Sequence, residues 1–401
     1  MNKTRNDLYR SRLAGNLAPA VANTPAFVYS SERIVAGCRS LRAGLAASSA
    51  RVLYATKACG LEAVIKILNQ FVDGFAVASP SEARLVFGFI SGSRNLHITT
   101  PGFKKEWFDE PLGLTHVAFN STSQFDRLQK AAPSSISLGI RVNPGLSCVE
   151  DERYNPCRRY SKLGVPLVEL VNWLDGQGPP RLEGLHFHNA CLCESWISLR
   201  DTVARITSHL DSVLASMKWI NLGGGFVWDE TTDFAPLQET VNMLTTNYGL
   251  AVFIEPGAGF VNSAGYLVAS VTDLFKSDEK TIAVLDTTVN HLPEVFEYQF
   301  EPDVAGNVDN GRHQYILAGC SCLAGDVFGE YAFDEPLEIG SRITFENVGA
   351  YTIVKANMFN GINLPSIYAL DQTGRTELVK EFTFDDFAGR CDFQPKQYAN
   401  P

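Results

Sequence analysis

Lys57, His188, the triplet Gly223–Gly225 and Glu255 supply an amine, an imidazole, a backbone anion nest and a carboxylate. Each type suits a distinct job. A lysine that loses hydration in an apolar mouth favours its neutral form and becomes a nucleophilic amine. The stretch "WINLGGGFVW" (219–228) lets successive N–H groups converge on an anion such as phosphate, with the next helix N-terminus adding positive potential. A carboxylate can hold a proton on a pyridine nitrogen, which makes that ring an electron sink.

Every member also has a plainer reading. Lys57, in "YATKACG", could lay its stem on apolar surface with its head in water. His186 and His188, in "GLHFHN", share a strand face and could be packed, hydrogen-bonded histidines or a metal pair. A lone GGG can be a tight turn. Glu255, in "EPG", could be half of a buried ion pair. Cys322 and Asp326 lie in the Gly-rich "GCSCLAGDVFGEY" (319–331), where a cysteine is usually a buried hydrophobe. Taken as one set, an amine that condenses with an aldehyde, a phosphate nest and a pyridine-facing carboxylate point to pyridoxal 5'-phosphate (PLP).

Positioning such a set requires a scaffold. Eight short apolar runs read as strands: "RVLYATK", "GFAVAS", "NLHIT", "HVAFNS", "ISLGIRVNP", "EGLHFHN", "WINLGGG" and "AVFIEPG". Helical patterns separate them, and Ser79-Pro80-Ser81-Glu82 is a clean helix start. Eight βα units predict an α/β (β/α)8 TIM barrel, whose active site lies at the strands' C-terminal ends. That rule places Lys57, Ser79, Arg141, His188, Gly223–Gly225 and Glu255 on one rim. After residue 260 the helices thin out. "GYLVASVTDLF", "KTIAVLDTTV", "HQYILAG", "SRITFENVGAYTIVK" and "PSIYAL" predict an antiparallel β-sandwich or barrel domain, which "PAFVYS" near the N-terminus could rejoin. "FDDFAGR" is an amphipathic candidate. The expected division is a barrel over 31–259, a β domain over 24–30 plus 260–392, and terminal extensions over 1–23 and 393–401.

The 401 residues suit two domains. A formal charge of −10 argues against a nucleic-acid partner and fits a cationic small molecule. No run of 18 apolar residues predicts a membrane span, and the first 23 residues lack the apolar core of a secretory signal. Nine scattered cysteines read as reduced cytoplasmic thiols without a disulfide framework. The pairs Cys191/Cys193 and Cys320/Cys322 lack the spacing of a metal site, so no metal is expected.

With "YATKA", "SKLG", "FH", "LGGG" and "EPG" in that order before a β domain, the chain resembles the fold-type III PLP-dependent decarboxylases. "LDTTVNHLPEVFEY", "CLAGDVFGEY", "YTIVKANMFNGINLPSIY" and "EFTFDDFAGR" are most similar to the carboxynorspermidine branch, from about residue 24 to 392. The resemblance implies that Lys57 carries PLP and that His188 stacks on its ring. Gly223, Gly224 and Gly225 would hold the phosphate, joined by Tyr351 of the partner subunit. Glu255 would meet the pyridine nitrogen, supported by Arg141. Cys322 of the partner subunit would return a proton after CO2 leaves, with the partner's Asp326 nearby. The implied assembly is a homodimer with shared active sites. Glu294, Asn189 and Cys322 would contact substrate.

Some positions depart from the family pattern. Ala76 and Ala258 replace an aspartate and an arginine of the ornithine-type enzymes, as expected for the carboxynorspermidine branch. "HFHNACLCE" carries two extra residues near Ala190–Cys191, and Ala350 stands where a histidine usually precedes "YT". About 20 extra residues precede "TPAFVYS". The expected reaction removes the α-carboxylate of an L-amino acid bearing a 3-amino-3-carboxypropyl group, such as carboxynorspermidine or carboxyspermidine in polyamine synthesis. The alternative trims the same group on a microcin C-type peptide-nucleotide antibiotic, and a third reading is a non-catalytic PLP-binding protein. Racemases of this fold place arginine at the pyridine nitrogen, so Glu255 argues against one.

Overall fold

The computed structural model describes residues 21–89, 95–174 and 181–391. The expected extensions 1–23 and 393–401 lie outside these apart from residues 21–23. The chain forms two compact units, Ile34–Phe260 and the flanking segments up to Arg33 and from Val261.

The chain enters with β1 (Ala26–Ser30) and α1 (Ser31–Gly44). Eight parallel strands then follow: β2 (Arg51–Ala55), β3 (Gly74–Val77), β4 (Asn95–Thr100), β5 (His116–Phe119), β6 (Ser137–Asn143), β8 (Leu182–His186), β9 (Trp219–Asn221) and β10 (Ala251–Ile254). β7 (Val165–Pro166) is a two-residue addition beside the end of β6. Neighbours pair in the order β5-β4-β3-β2-β10-β9-β8-β6, and β5 pairs with β6, which closes the barrel. All eight expected strands are present.

Between the strands lie α2 (Glu62–Leu68), α3 (Pro80–Phe87), α4 (Thr122–Leu128), α5 (Leu167–Leu174), α6 (Ile197–Leu214) and α7 (Ala235–Tyr248), and α8 (Ala258–Val261) follows β10. Strand side chains alternate between faces. One set, including Val52, Ile98, Ile140, Leu185, Ile220 and Ile254, is buried to within 1 %. That set faces the helices, as in sheets covered on the outside. At α3, Ser79 Oγ accepts the Glu82 N–H and Glu82 Oε2 accepts the Ala78 N–H, so the expected start signal operates through both side chains.

The second unit holds β11 (Gly265–Ser277), β12 (Lys280–Leu285), α9 (Glu294–Tyr298), β13 (His313–Ala318), β14 (Val327–Phe333), β15 (Arg342–Phe345), α10 (Thr352–Lys355), β16 (Ser366–Leu370), β17 (Thr376–Lys380) and α11 (Phe384–Ala388). Its sheet runs β14-β13-β12-β11-β1-β16-β17, with β15 on β11. Most pairings are antiparallel, but β1–β16 and β12–β13 are parallel. Ala26, Val28, Tyr266, Val268 and Tyr368 form a core cluster around β1. Two strands are additional to the expected set. β14 carries Gly329, which weakens its strand signal, and β17 is a largely exposed edge without apolar alternation. The "TIVK" end of the expected strand through residue 355 is helical, as α10.

Candidate active site

The barrel mouth holds a cavity of about 380 Å3, open space included, lined among others by Lys57, Glu82, Arg141, His186, His188 and Glu255. Lys57 lies in the short turn of helix after β2 and is surrounded by protein, yet its surface faces the cavity. Burial lowers its ammonium pKa, while the Glu255 charge opposes the fall. Burial thus shifts Lys57 toward the neutral amine that nucleophilic attack requires.

Glu255 follows β10 and is 7 % exposed. Asn221 Nδ2 donates to its Oε1 at 2.7 Å, and His186 Nε2 stands 3.4 Å from its Oε2. Burial pushes the carboxyl pKa up, but His186, His97 and Lys57 outweigh it and hold the group well below the usual carboxylate range. Glu255 is therefore an ionised carboxylate in the barrel. Arg141, on β6, contributes positive charge toward it and is itself pushed down to about 10, chiefly by burial. Arg141 Nη2 also reaches the His188 carbonyl at 3.5 Å. His186 and His188 do not converge as a metal pair. His186 faces Glu255, whereas His188 Nδ1 accepts the Gly224 N–H at 3.1 Å. His188 is held neutral by burial and by the Lys57 and Arg141 charges.

The glycine triplet is a site of close backbone approach. Gly223 and Gly225 have φ of +69° and +93°, which favour glycine. A Cβ on Gly224 would meet the Glu255 carbonyl at 1.9 Å, and one on Gly225 the Ala190 carbonyl at 2.1 Å. Two of the three N–H groups already have partners, Asn221 Oδ1 for Gly223 and His188 for Gly224. The expected helix N-terminus does not abut the triplet, because residues 226–234 precede α7. Cys193 N–H donates to the Gly225 carbonyl, so the anomalous loop after His188 lies along the nest. Cys193 is disulfide-bonded to Cys148, which corrects the reduced-thiol expectation for these two. The remaining seven cysteines form no disulfide.

A family model for the pyridoxal-dependent decarboxylases, pyridoxal binding domain, matches residues 31–262. The chain belongs to that family. It is 33 % identical over 384 residues to a carboxynorspermidine/carboxyspermidine decarboxylase of Campylobacter jejuni, covering 92 % of this chain and 98 % of the relative. It is 32 % identical over 352 residues to a carboxyaminopropylagmatine decarboxylase of Synechocystis, covering 84 % and 88 %. A crystal structure of Campylobacter jejuni carboxynorspermidine decarboxylase complexed with norspermidine superposes with a TM-score of 0.82 at 31 % identity, covering 92 % of this chain and all of that one. Diaminopimelate decarboxylase of Helicobacter pylori shares the fold, with a TM-score of 0.80 at 18 % identity over 92 % of this chain and 97 % of that one.

The protein is thus a PLP-dependent decarboxylase, and its barrel mouth fits the cofactor. Lys57 faces the cavity, and buried Arg141 Nε and His186 Nδ1 have no hydrogen-bond partner among the described residues. PLP, when bound, supplies the sink for the electron pair released as the carboxylate leaves.

The remaining expected site residues divide in two. Asn189 is 1 % exposed, and its amide donates to Leu146 O and Thr202 Oγ1. That side chain braces its own loop and is not among the cavity-lining residues. In the second unit, Asp326 accepts from Val289 N–H at 2.7 Å and Ser321 N–H at 2.9 Å, and also from the Ser321 hydroxyl. Asp326 is therefore the buried anchor of the 319–326 loop, and Cys322 stands exposed upon it. Tyr351 adopts φ +68° ahead of α10. Glu294 is buried in α9, with Lys355 Nζ at 3.5 Å, and burial raises its carboxyl pKa.

Sequence reasoning missed Asn221, His97 and Glu82. A signal existed for Asn221, which lies two residues before Gly223 and so shares its strand face. His97, alternating with Thr99 on β4, carried the same signal.

Proposed function

We propose that this decarboxylase acts on an L-amino acid whose 3-amino-3-carboxypropyl group is attached to an amine, with carboxynorspermidine and carboxyspermidine as leading substrates in polyamine synthesis. The observation that carries the reading is the near full-length similarity to the Campylobacter jejuni and Synechocystis enzymes, whose names share a carboxylated aminopropyl unit. The charge of −10 supports a polycationic substrate. Lys57 holds the cofactor, Glu255 keeps its ring nitrogen charged, and His188 covers the ring. Nothing in these relatives supports the peptide-nucleotide alternative.

In the same proposal Cys322 of the partner subunit delivers the final proton, Tyr351 of the partner subunit reaches the phosphate, and Glu294 binds the distal amine. CO2 release from carboxynorspermidine, carboxyspermidine, carboxyaminopropylagmatine, ornithine and diaminopimelate tests the substrate. Turnover of the first three should exceed that of the last two by at least about tenfold in kcat/KM. Faster turnover of ornithine or diaminopimelate overturns the assignment. Mixing Lys57→Ala with Cys322→Ala protein tests the shared site. Partial recovery of activity is expected, and none in verified heterodimers overturns it.

A further inference from the structure

Asn221 ends β9 inside the barrel at 1 % exposure, and its amide is used on both sides. One Nδ2 hydrogen goes to Glu255 Oε1 at 2.7 Å, and the other faces His97 Nδ1 at 3.2 Å. Oδ1 accepts the Gly223 N–H at 3.0 Å. A carboxylate can only accept and an N–H can only donate, so these partners fix which way the amide points. His97 Nδ1 then acts as acceptor, which places the His97 proton on Nε2. The Glu255 N–H closes the loop by donating to the Gly223 carbonyl at 2.6 Å.

We propose that Asn221 is a positioning residue that ties the Glu255 carboxylate to the backbone of the glycine nest, so that one amide sets the spacing between the pyridine and phosphate ends of the cofactor site. The proposal rests on the reading of Glu255 as the pyridine partner. Asn221 is not among the residues that line the cavity, and it acts through Glu255 and Gly223. Of the two contacts to the Glu255 carboxylate, Asn221 makes the shorter by 0.7 Å, from 2.7 and 3.4 Å. The charged or titratable groups facing Glu255 are Lys57 after β2, His97 on β4, Arg141 on β6 and His186 on β8. Lys57 and Arg141 act on the carboxylate through charge and His186 stands 3.4 Å from it, whereas Asn221 bonds it and the Gly223 N–H with a single amide.

The test compares full-length Asn221→Asp, Asn221→Leu and Glu255→Gln with wild type, each reconstituted with PLP. Two readouts are the pH titration of the bound cofactor's absorbance and the PLP Kd from fluorescence titration. Asn221→Asp keeps an acceptor for Gly223 but sets a carboxylate against Glu255. Its titration midpoint should move by about one unit or more, with Kd changed less than about fivefold. Asn221→Leu loses both ties, so the midpoint should move and Kd should weaken by about tenfold or more. Should Asn221→Leu fail to fold, the near-isosteric Asn221→Asp decides alone. A shifted Glu255→Gln titration beside unshifted Asn221 variants overturns this proposal only. A wild-type titration for Glu255→Gln overturns the pyridine assignment and this proposal together.

Discussion

The two ends of the barrel interior use the same strand faces for opposite purposes. On β6, β8, β9 and β10 the inward positions run Ser137–Gly139–Arg141, Gly184–His186–His188, Trp219–Asn221–Gly223 and Phe253–Glu255. At the floor the space is filled. Trp219 occupies the room that Gly139 and Gly184 leave, where a Cβ would meet its ring at 2.4 and 2.1 Å. Its Nε1 donates to Ser137 Oγ at 2.8 Å, and His97, His116 and Phe253 pack around it. At the mouth bulk gives way to a cavity, and six of the eleven residues around it, Lys57, Glu82, Arg141, His186, His188 and Glu255, are charged or titratable. The floor thus carries stability, while the mouth carries polar groups held against each other for chemistry.

Substitutions should separate the two ends. Lys57→Ala faces the cavity, so it should leave melting unchanged while activity falls by at least about a thousandfold and the absorbance of lysine-bound PLP disappears. A retained spectrum rejects Lys57 as the attachment point. Trp219→Ala should do the reverse, costing about 3–5 kcal/mol in denaturant unfolding through the cavity it leaves. A loss under about 1 kcal/mol would mean that the floor is not a packed plug. Gly225→Ala falls between them. Its φ of +93° and the nearby Ala190 carbonyl impose strain of about 1–3 kcal/mol. PLP affinity should drop about tenfold or more, and an unchanged Kd would remove the glycine from the cofactor's anchorage.

Acid should act on both ends at once, and more gradually. Burial holds His97, His116, His186 and His188 below the ordinary histidine value, His116 at about 4. Between about pH 6.5 and 4 the unfolded chain therefore binds more protons than the folded one. Stability is full above about pH 6.5 and declines as pH falls, by up to about 1.4 kcal/mol per unit for His116 down to about pH 4, with His97, His186 and His188 acting in the same direction. Melting temperatures from pH 8 to 4.5 at constant salt should show the decline, and a flat profile would contradict the neutral floor.

Much of this was legible in the chain. Eight apolar runs at regular spacing gave eight strands, because a buried parallel strand must be apolar on its outer face. The strand-end rule then brought Lys57, Arg141, His188 and Glu255 to one cavity. Other residues were legible only as types. Asp326 looked like a site carboxylate, but folding surrounds it with donors from Val289 and Ser321. Asn189 looked available in its loop, but Leu146 and Thr202 take its amide.

The sequence by itself determined the barrel and the cofactor, and four of the expected rim residues, Lys57, Arg141, His188 and Glu255, line the cavity while Ser79 and Gly223–Gly225 do not; strand periodicity and residue chemistry are local properties. Only the tertiary structure decided which groups satisfy each other. It joined Asn221 to both Glu255 and Gly223, bonded Cys148 to Cys193, and placed Trp219 in the space left by two glycines on other strands. Apart from the local Asn221–Gly223 bond, those contacts link residues far apart in the chain, and a polar group's final partner depends on what closure of the barrel brings within hydrogen-bonding reach.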